Sequence, residues 1–228
     1  KAPHYLIKET KKNWKEDAGK GLSGDILTLP SVLVAQKEIY TLDSQFNFHV
    51  FDLEGKKISD KNLVKNEKGL AFTAKNGQFY ALSPKGTLIA TNKDGKVQWQ
   101  KTLEAPFRNE PVIYKDIIYL LSADNDVWAL NTKNGKEIWH YKTTAPLTTL
   151  WGMGRPVVNN DIIVVPFSNG LVTAFDAQNG TYLWEEDMSG DKSFNQIDNL
   201  TQMIASPVAE ENSVYLAGHA NITKALNL

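Results

Sequence analysis

The sequence lacks cysteine, has little arginine and contains no long apolar run, and each absence excludes a class of site. Without cysteine the chain forms neither a disulfide nor a thiolate centre. No stretch approaches the roughly 18 consecutive apolar residues of a transmembrane helix, so none is predicted. Arg108 and Arg155 are the only arginines, and the net charge of −1 creates no overall field that would attract nucleic acid or an anionic membrane.

Catalytic and metal-binding patterns are missing as well. The four histidines stand at positions 4, 49, 140 and 219, without the spacing of metal ligands. The Gly-x-Ser-x-Gly motif of serine hydrolases does not occur. The acidic run at 185–187 directly follows a tryptophan, where we expect a solvated outer strand. We therefore predict no catalytic residue, no metal and no cofactor.

What the sequence does contain is a repeat. Trp99, Trp139 and Trp184 lie 40 and 45 residues apart, and each follows a glycine by four positions. Self-similarity at such a period is typical of repeat architectures. Alignment on this phrase predicts five repeats, the last of them shorter, at 30–59, 71–99, 111–139, 156–184 and 207–228.

Each repeat consists of short strands. The run at 117–121 is continuously apolar, which favours a strand covered on both faces. Asn-Gly and Asp-Gly pairs predict tight hairpins because glycine tolerates positive φ. Several strands per repeat and no helical segment predict an all-β fold, a β-propeller of four-stranded blades that forms a single domain over 1–228.

The tryptophans form a column with a structural interpretation. A large flat side chain at a fixed position in each blade can wedge against the next blade. We therefore predict that Trp99, Trp139 and Trp184 dock neighbouring blades. Trp14 precedes the first repeat by a similar interval, which predicts that it belongs to the last strand of a blade whose other strands lie elsewhere. Ser59 occupies the position where the first repeat should have its tryptophan.

Two levels of family resemblance follow from these motifs. The phrase from Ala129 to Trp139 resembles the quinoprotein-type propeller repeat. More narrowly, the stretches at 13–21 and 29–32 resemble the opening of the BamB family of outer-membrane assembly lipoproteins. The long linkers at 145–155 and 190–207 resemble that family's linkers in the same order. The resemblance covers nearly the whole chain, which lacks the family's lipidated cysteine.

This resemblance implies a fold, a location and partners. Members are eight-bladed propellers, anchored by a lipid to the periplasmic face of the outer membrane, so about five blades of a partial ring are expected here. They are non-enzymatic scaffolds of the barrel assembly (BAM) complex that bind BamA and other BAM subunits and assist nascent outer-membrane proteins. The alternatives are a fragment of a pyrroloquinoline quinone-dependent dehydrogenase and a generic periplasmic protein-binding propeller.

The resemblance also implies a contact surface. In the family the first linker supplies two leucines and an arginine to BamA, and the matching positions here are Thr148, Leu150 and Trp151. The second linker supplies two aspartates, which match Gln202 and Ile204. The surface predicted here is therefore more apolar. The alternative interpretation is that Leu150 and Ile204 only cover the ends of the blades.

Overall fold

The computed structural model describes residues 12–20, 32–143, 154–188, 205–218 and 222–228. These residues form nineteen β-strands in five antiparallel sheets. No helix occurs in these ranges, and hence none that could cross a membrane. Consecutive strands pair within every sheet. The prediction of an all-β chain built from four-stranded blades is confirmed.

The blades follow one another along the chain. Blade 1 contains β1 (Val32–Ala35), β2 (Glu38–Leu42), β3 (Asn47–Asp52) and β4 (Lys57–Asn62). Blade 2 contains β5 (Ala71–Lys75), β6 (Gln78–Leu82), β7 (Thr87–Asn92) and β8 (Val97–Thr102). Blade 3 contains β9 (Val112–Tyr114), β10 (Ile117–Leu121), β11 (Val127–Asn131) and β12 (Glu137–Tyr141). Blade 4 contains β13 (Val157–Asn159), β14 (Ile162–Pro166), β15 (Leu171–Asp176) and β16 (Tyr182–Asp187), and the described residues of blade 5 form β17 (Val208–Glu210), β18 (Ser213–Ala217) and β19 (Thr223–Asn227).

The core lies between the blades. All five residues of β10 are buried, as expected for a continuously apolar strand covered on both faces, whereas β16 at the periphery has only exposed and half-buried residues. Tyr119 of blade 3 belongs to the same buried cluster as Ile163 and Phe175 of blade 4. Each blade is therefore stabilised mainly by its neighbours.

The strand order defines two faces. In a four-stranded meander the first strand begins and the last strand ends at the same edge. The interblade segments therefore start and finish on one face, together with the turns between the second and third strands. We call this the connection face. The remaining turns, such as those at 52–56 and 131–136, lie on the opposite face, which we call the hairpin face.

One joint connects blades 3 and 4 on the hairpin face. The indole of Trp139 lies on Gly180, and its Nε1 donates a hydrogen bond of 3.0 Å to the carbonyl of Ala177. The Tyr119 hydroxyl donates to the same carbonyl at 2.8 Å. Burial raises the pKa of Tyr119 above its usual value, so the hydroxyl remains protonated and able to donate.

The same joint recurs between blades 2 and 3. There Trp99 lies on Gly135 and donates to the carbonyl of Thr132 at 2.9 Å. The Tyr80 hydroxyl approaches this carbonyl at 3.4 Å. Trp184 is half-buried beside the apolar cluster between blades 4 and 5. The energetic role of the tryptophan column stays a prediction, which the substitutions below test.

Blade 1 joins blade 2 differently. Ser59 pairs with Val50, whereas Trp99, Trp139 and Trp184 each pair with an alanine. The side chain of Lys61 lies over Gly95 in place of an indole. Stacked and edge-to-face rings fill the interface, and the residues that supply them are Tyr40, Phe48, Phe72 and Phe79. Aromatic packing thus replaces the missing tryptophan.

The N-terminal segment covers the side of blade 1 that is turned away from blade 2. Trp14 lies on Gly55 and donates to the carbonyl of Leu53 at 2.9 Å, as the column tryptophans do elsewhere. Residues 12–20 do this without forming a strand. The segment is also held at its other end, where Lys20 N donates to Asp43 at 3.1 Å.

Asp43 is a buried anchor for this segment, with a side chain only 2% exposed. Burial alone would raise its pKa, but hydrogen bonds from the Asn47 side chain and from three backbone N–H groups outweigh that effect and lower the pKa. The backbone donors belong to Asn47, Lys20 and Gln45. The carboxylate therefore remains ionised at neutral pH.

A pair of glycine substitutions tests the joint. Gly180 and Gly77 have φ of 74° and 75°, so alanine carries the same backbone strain at both. A Cβ at position 180 would lie 2.7 Å from Trp139 Cδ2, whereas a Cβ at position 77 would have no heavy atom within 4 Å. We expect Gly180→Ala to lose about 1–3 kcal/mol more unfolding free energy than Gly77→Ala in urea titrations.

The tryptophan itself completes a mutant cycle. Trp139→Ala should cost about 3–5 kcal/mol, as for large buried aromatics in general. Because the Gly180→Ala clash disappears with the indole, the double mutant Trp139→Ala/Gly180→Ala should lose clearly less than the sum of the single losses. Additive losses would show that the contact is not what makes either substitution costly.

The pH dependence of Asp43→Asn tests the anchor. A carboxylate with a depressed folded-state pKa stabilises the fold above its unfolded value of about 3.8, and the contribution is lost as pH falls through the folded value. We expect Asp43→Asn to cost about 1.5–3 kcal/mol at pH 7, because charged hydrogen bonds are lost. The difference between the two proteins should shrink below about pH 4, and a difference that stays constant down to pH 3 would contradict the assignment.

Candidate functional site

The predicted contact residues Thr148, Leu150, Trp151, Gln202 and Ile204 lie outside the described residues, so their role stays a prediction. The structure does describe the ends of the two segments that carry them. Residues 142–143 and 154–156 flank the first segment, and residues 188 and 205–207 flank the second. By the strand order these ends all lie on the connection face.

The two segments re-enter the propeller side by side. A Cβ atom on Gly154 would collide with the carbonyl oxygen of Ala205, so the backbones approach as closely as glycine allows. Arg155 N donates a hydrogen bond of 3.0 Å to Ser206 Oγ. The starts of β13 and β17 are therefore held together at the inner edge of the blades.

A third interblade segment joins this junction. Asn109, which is almost fully buried, donates from Nδ2 to the carbonyl of Gly154 at 3.2 Å. The guanidinium of Arg155 forms an ion pair with the carboxylate of Glu110. Residues from three consecutive blades thus meet at one point, which we call the inner junction and define as Asn109, Glu110, Gly154, Arg155, Ala205 and Ser206.

The residues of the inner junction are not among the predicted contact residues. Its signal is a proline column, because Pro111, Pro156 and Pro207 each precede an inner strand. Glu110, Arg155 and Ser206 are the residues directly before these prolines. Their chemistry differs from blade to blade, although their positions correspond.

The starts of the two segments are anchored at the outer side. Tyr141, the last residue of β12, packs its ring 4.6 Å from that of Phe175 and 6.1 Å from that of Phe167 in blade 4. The buried Met188 donates its backbone N–H to the carbonyl of Gly170 at 2.9 Å. Both segments therefore leave the rigid scaffold near the 167–170 turn.

The shorter interblade segment at 103–111 is packed onto the blades. In the segment at 103–111, Leu103 N donates to Gly86 O and Phe107 N donates to Pro84 O, each at 2.9 Å. The ring of Phe107 is buried, and its centroid lies 5.6 Å from that of Trp128. The two long segments have 16 and 22 residues between tryptophan and proline, whereas the segment at 103–111 belongs to an interval of 11 residues.

Several charged side chains in the described ranges pair with one another. Within the described ranges, no group of three His, Asp or Glu side chains is placed to hold a metal ion. The acidic run at 185–187 is partly engaged, since Glu186 pairs with Lys224 and Glu185 accepts a hydrogen bond from Thr173. The ion pair of the inner junction lies at the described end of the first long segment.

Comparison with known sequences identifies a matching family model and several relatives. A family model described as outer membrane protein assembly factor BamB matches residues 47–227. BamB of Yersinia pestis is 29% identical over 153 residues, which are 66% of this chain and 39% of that protein. BamB of Bordetella pertussis is 23% identical over 198 residues, 85% of this chain and 49% of that protein. The chain spans less than half the length of either relative.

Solved structures show the same fold at low identity. BamB from Moraxella catarrhalis matches with a TM-score of 0.77 and 15% identity, over 86% of this chain and 60% of that one. A quinohemoprotein alcohol dehydrogenase from Pseudomonas putida HK5 matches with a TM-score of 0.66 and 13% identity, over 91% of this chain and 41% of that one. These likenesses confirm the propeller fold and carry no more than the fold.

The close approach at the inner junction yields a stability prediction. Gly154→Ala should lower the unfolding free energy by about 1–3 kcal/mol, because the added methyl group meets backbone rather than a movable side chain. Ser206→Ala, which removes only the acceptor of Arg155 N, should cost about 1 kcal/mol. Urea unfolding of both variants measures this, and a Gly154→Ala protein as stable as the wild type would show that the two segments are not in contact.

Proposed function

The chain belongs to the BamB family of outer membrane protein assembly factors, and from this membership we propose that it is a non-enzymatic scaffold that binds BamA. In this proposal it serves the assembly of outer-membrane β-barrel proteins at the periplasmic face of that membrane, with a lipid anchor holding the complete protein there. Other BAM subunits and nascent barrel proteins are its further partners.

The observation that carries this proposal is the convergence of the two long segments on the connection face. Their described ends meet at the inner junction, and their outer ends leave from blade positions fixed by Tyr141 and Met188. Long loops on a rigid scaffold are where proteins place recognition residues. The segments contain Leu150, Trp151 and Ile204, which would supply an apolar contact surface there.

The interblade segments on the connection face differ in length among the repeats. The recurring tryptophan, tyrosine and glycine residues form the joints between blades, and these joints lie toward the hairpin face. A side chain buried between two blades, such as Tyr119 or Trp139, is not available to a partner. The variable interblade segments are therefore the better candidates for recognition.

An enzymatic function is not proposed. The similarity to a quinohemoprotein alcohol dehydrogenase extends to the fold alone, and propellers of this type host unrelated functions. Nothing in the described residues favours quinone chemistry over protein binding.

A double substitution tests the proposed contact. Leu150→Ala combined with Trp151→Ala should weaken binding to the purified periplasmic domains of BamA by about 30-fold or more, the equivalent of ~2 kcal/mol for an aromatic hot spot. The melting temperature and circular dichroism spectrum should change little. Titration calorimetry measures the affinity.

The matched control replaces two apolar residues on outer strands, Val97→Ala with Ile138→Ala, both of which are 42% exposed in the wild type. This control should bind BamA like the wild type. Undiminished binding by a folded Leu150/Trp151 variant would remove these residues from the contact. Loss of binding together with loss of fold would favour the interpretation that they cover the blade ends.

A further inference from the structure

We infer that Arg155 is a recognition residue that binds a carboxylate of the partner protein docked on the connection face. This inference rests on the proposed function, and it places the electrostatic part of the contact at the inner junction. The occupant is an acidic side chain of the BamA periplasmic domains.

The repeat does not require an arginine at this position. The residues at the corresponding position, directly before Ala71, Pro111, Pro156 and Pro207, are Leu70, Glu110, Arg155 and Ser206. Columns that hold the fold together keep their chemistry, as the glycines under the indoles do. A position whose chemistry varies while its backbone is fixed is free to serve specificity.

The guanidinium retains capacity for a second partner. Its side chain is 53% exposed, and within the described residues its polar contact is with Glu110 alone. Arginine has five N–H donors in a planar fork, more than one carboxylate uses. An exposed ion pair contributes little to stability, so the intramolecular pair is a weak reason for an arginine here.

The backbone around Arg155 is fixed before any partner arrives. Its N–H is bound by Ser206 Oγ, and the preceding carbonyl of Gly154 is bound by the buried Asn109. Gly154 is wedged against Ala205. A side chain that extends from an ordered backbone and already has one carboxylate partner loses less conformational entropy on binding than a side chain on a flexible loop does.

The sign of the partner charge follows from exposure and composition. Glu110 is 30% exposed against 53% for Arg155, so the cation is the more accessible member of the pair. The chain's two arginines, Arg108 and Arg155, lie in neighbouring interblade segments on this face, although lysine outnumbers arginine by 23 to two. Arginine is the residue suited to planar, bidentate recognition of carboxylates.

Charge reversal separates recognition from structure. Arg155→Glu should weaken binding to the BamA periplasmic domains about tenfold or more in low salt, and the wild-type affinity should fall as salt is raised. The double reversal Glu110→Arg/Arg155→Glu restores an intramolecular pair but presents the opposite charge. It should therefore remain weak. Arg155→Gln is a milder change that should also weaken binding. It provides the test if the charge reversals impair folding.

The matched control is Lys115→Asp with Asp161→Lys on the hairpin face. This pair also joins two blades, with side chains 54% and 45% exposed. It should bind BamA like the wild type. Full binding by the double reversal or by folded Arg155→Gln would overturn the inference while leaving the proposed function intact. Absence of binding by the wild type would instead refute the proposed function and this inference with it.

Discussion

The joints between blades 2 and 3 and between blades 3 and 4 each depend on one backbone carbonyl. At Ala177 the carbonyl accepts the Trp139 indole and the Tyr119 hydroxyl from the preceding blade, and the indole lies on the glycine three residues later. The glycine is needed twice, for its positive φ and for the absence of a Cβ. Because two donors from two different strands reach one acceptor, the joint fixes both the inner and the outer part of the blade.

This arrangement separates the molecule into a constant side and a variable side. The joints consume the recurring residues toward the hairpin face. On the connection face the segments between blades differ in length and chemistry, from the packed segment at 103–111 to the longer ones that end at the inner junction. A rigid scaffold with variable loops on one face is suited to binding another protein.

Spacing predicted much of the fold, because the requirement behind it is local. The glycine four residues before each tryptophan marks a hairpin, and the period marks the blade. Side-chain packing between blades was harder to predict from the sequence. The sequence alone shows that Ser59 replaces the tryptophan. It does not show that Val50 and a cluster of aromatic rings fill the interface instead, because that depends on contacts between strands of two blades.

The candidate site was predictable only in part. Loop length indicated which interblade segments matter, and the contact residues within them remain predictions from resemblance. The ion pair of Glu110 with Arg155 joins residues 45 positions apart through the packing of two blades, which no local pattern encodes. The most direct test is hydrogen exchange on the complete protein with and without BamA. We predict added protection in peptides covering 103–111, 142–156 and 188–207 and none in the hairpin turns at 131–136 and 176–181. Protection confined to those turns would contradict binding on the connection face.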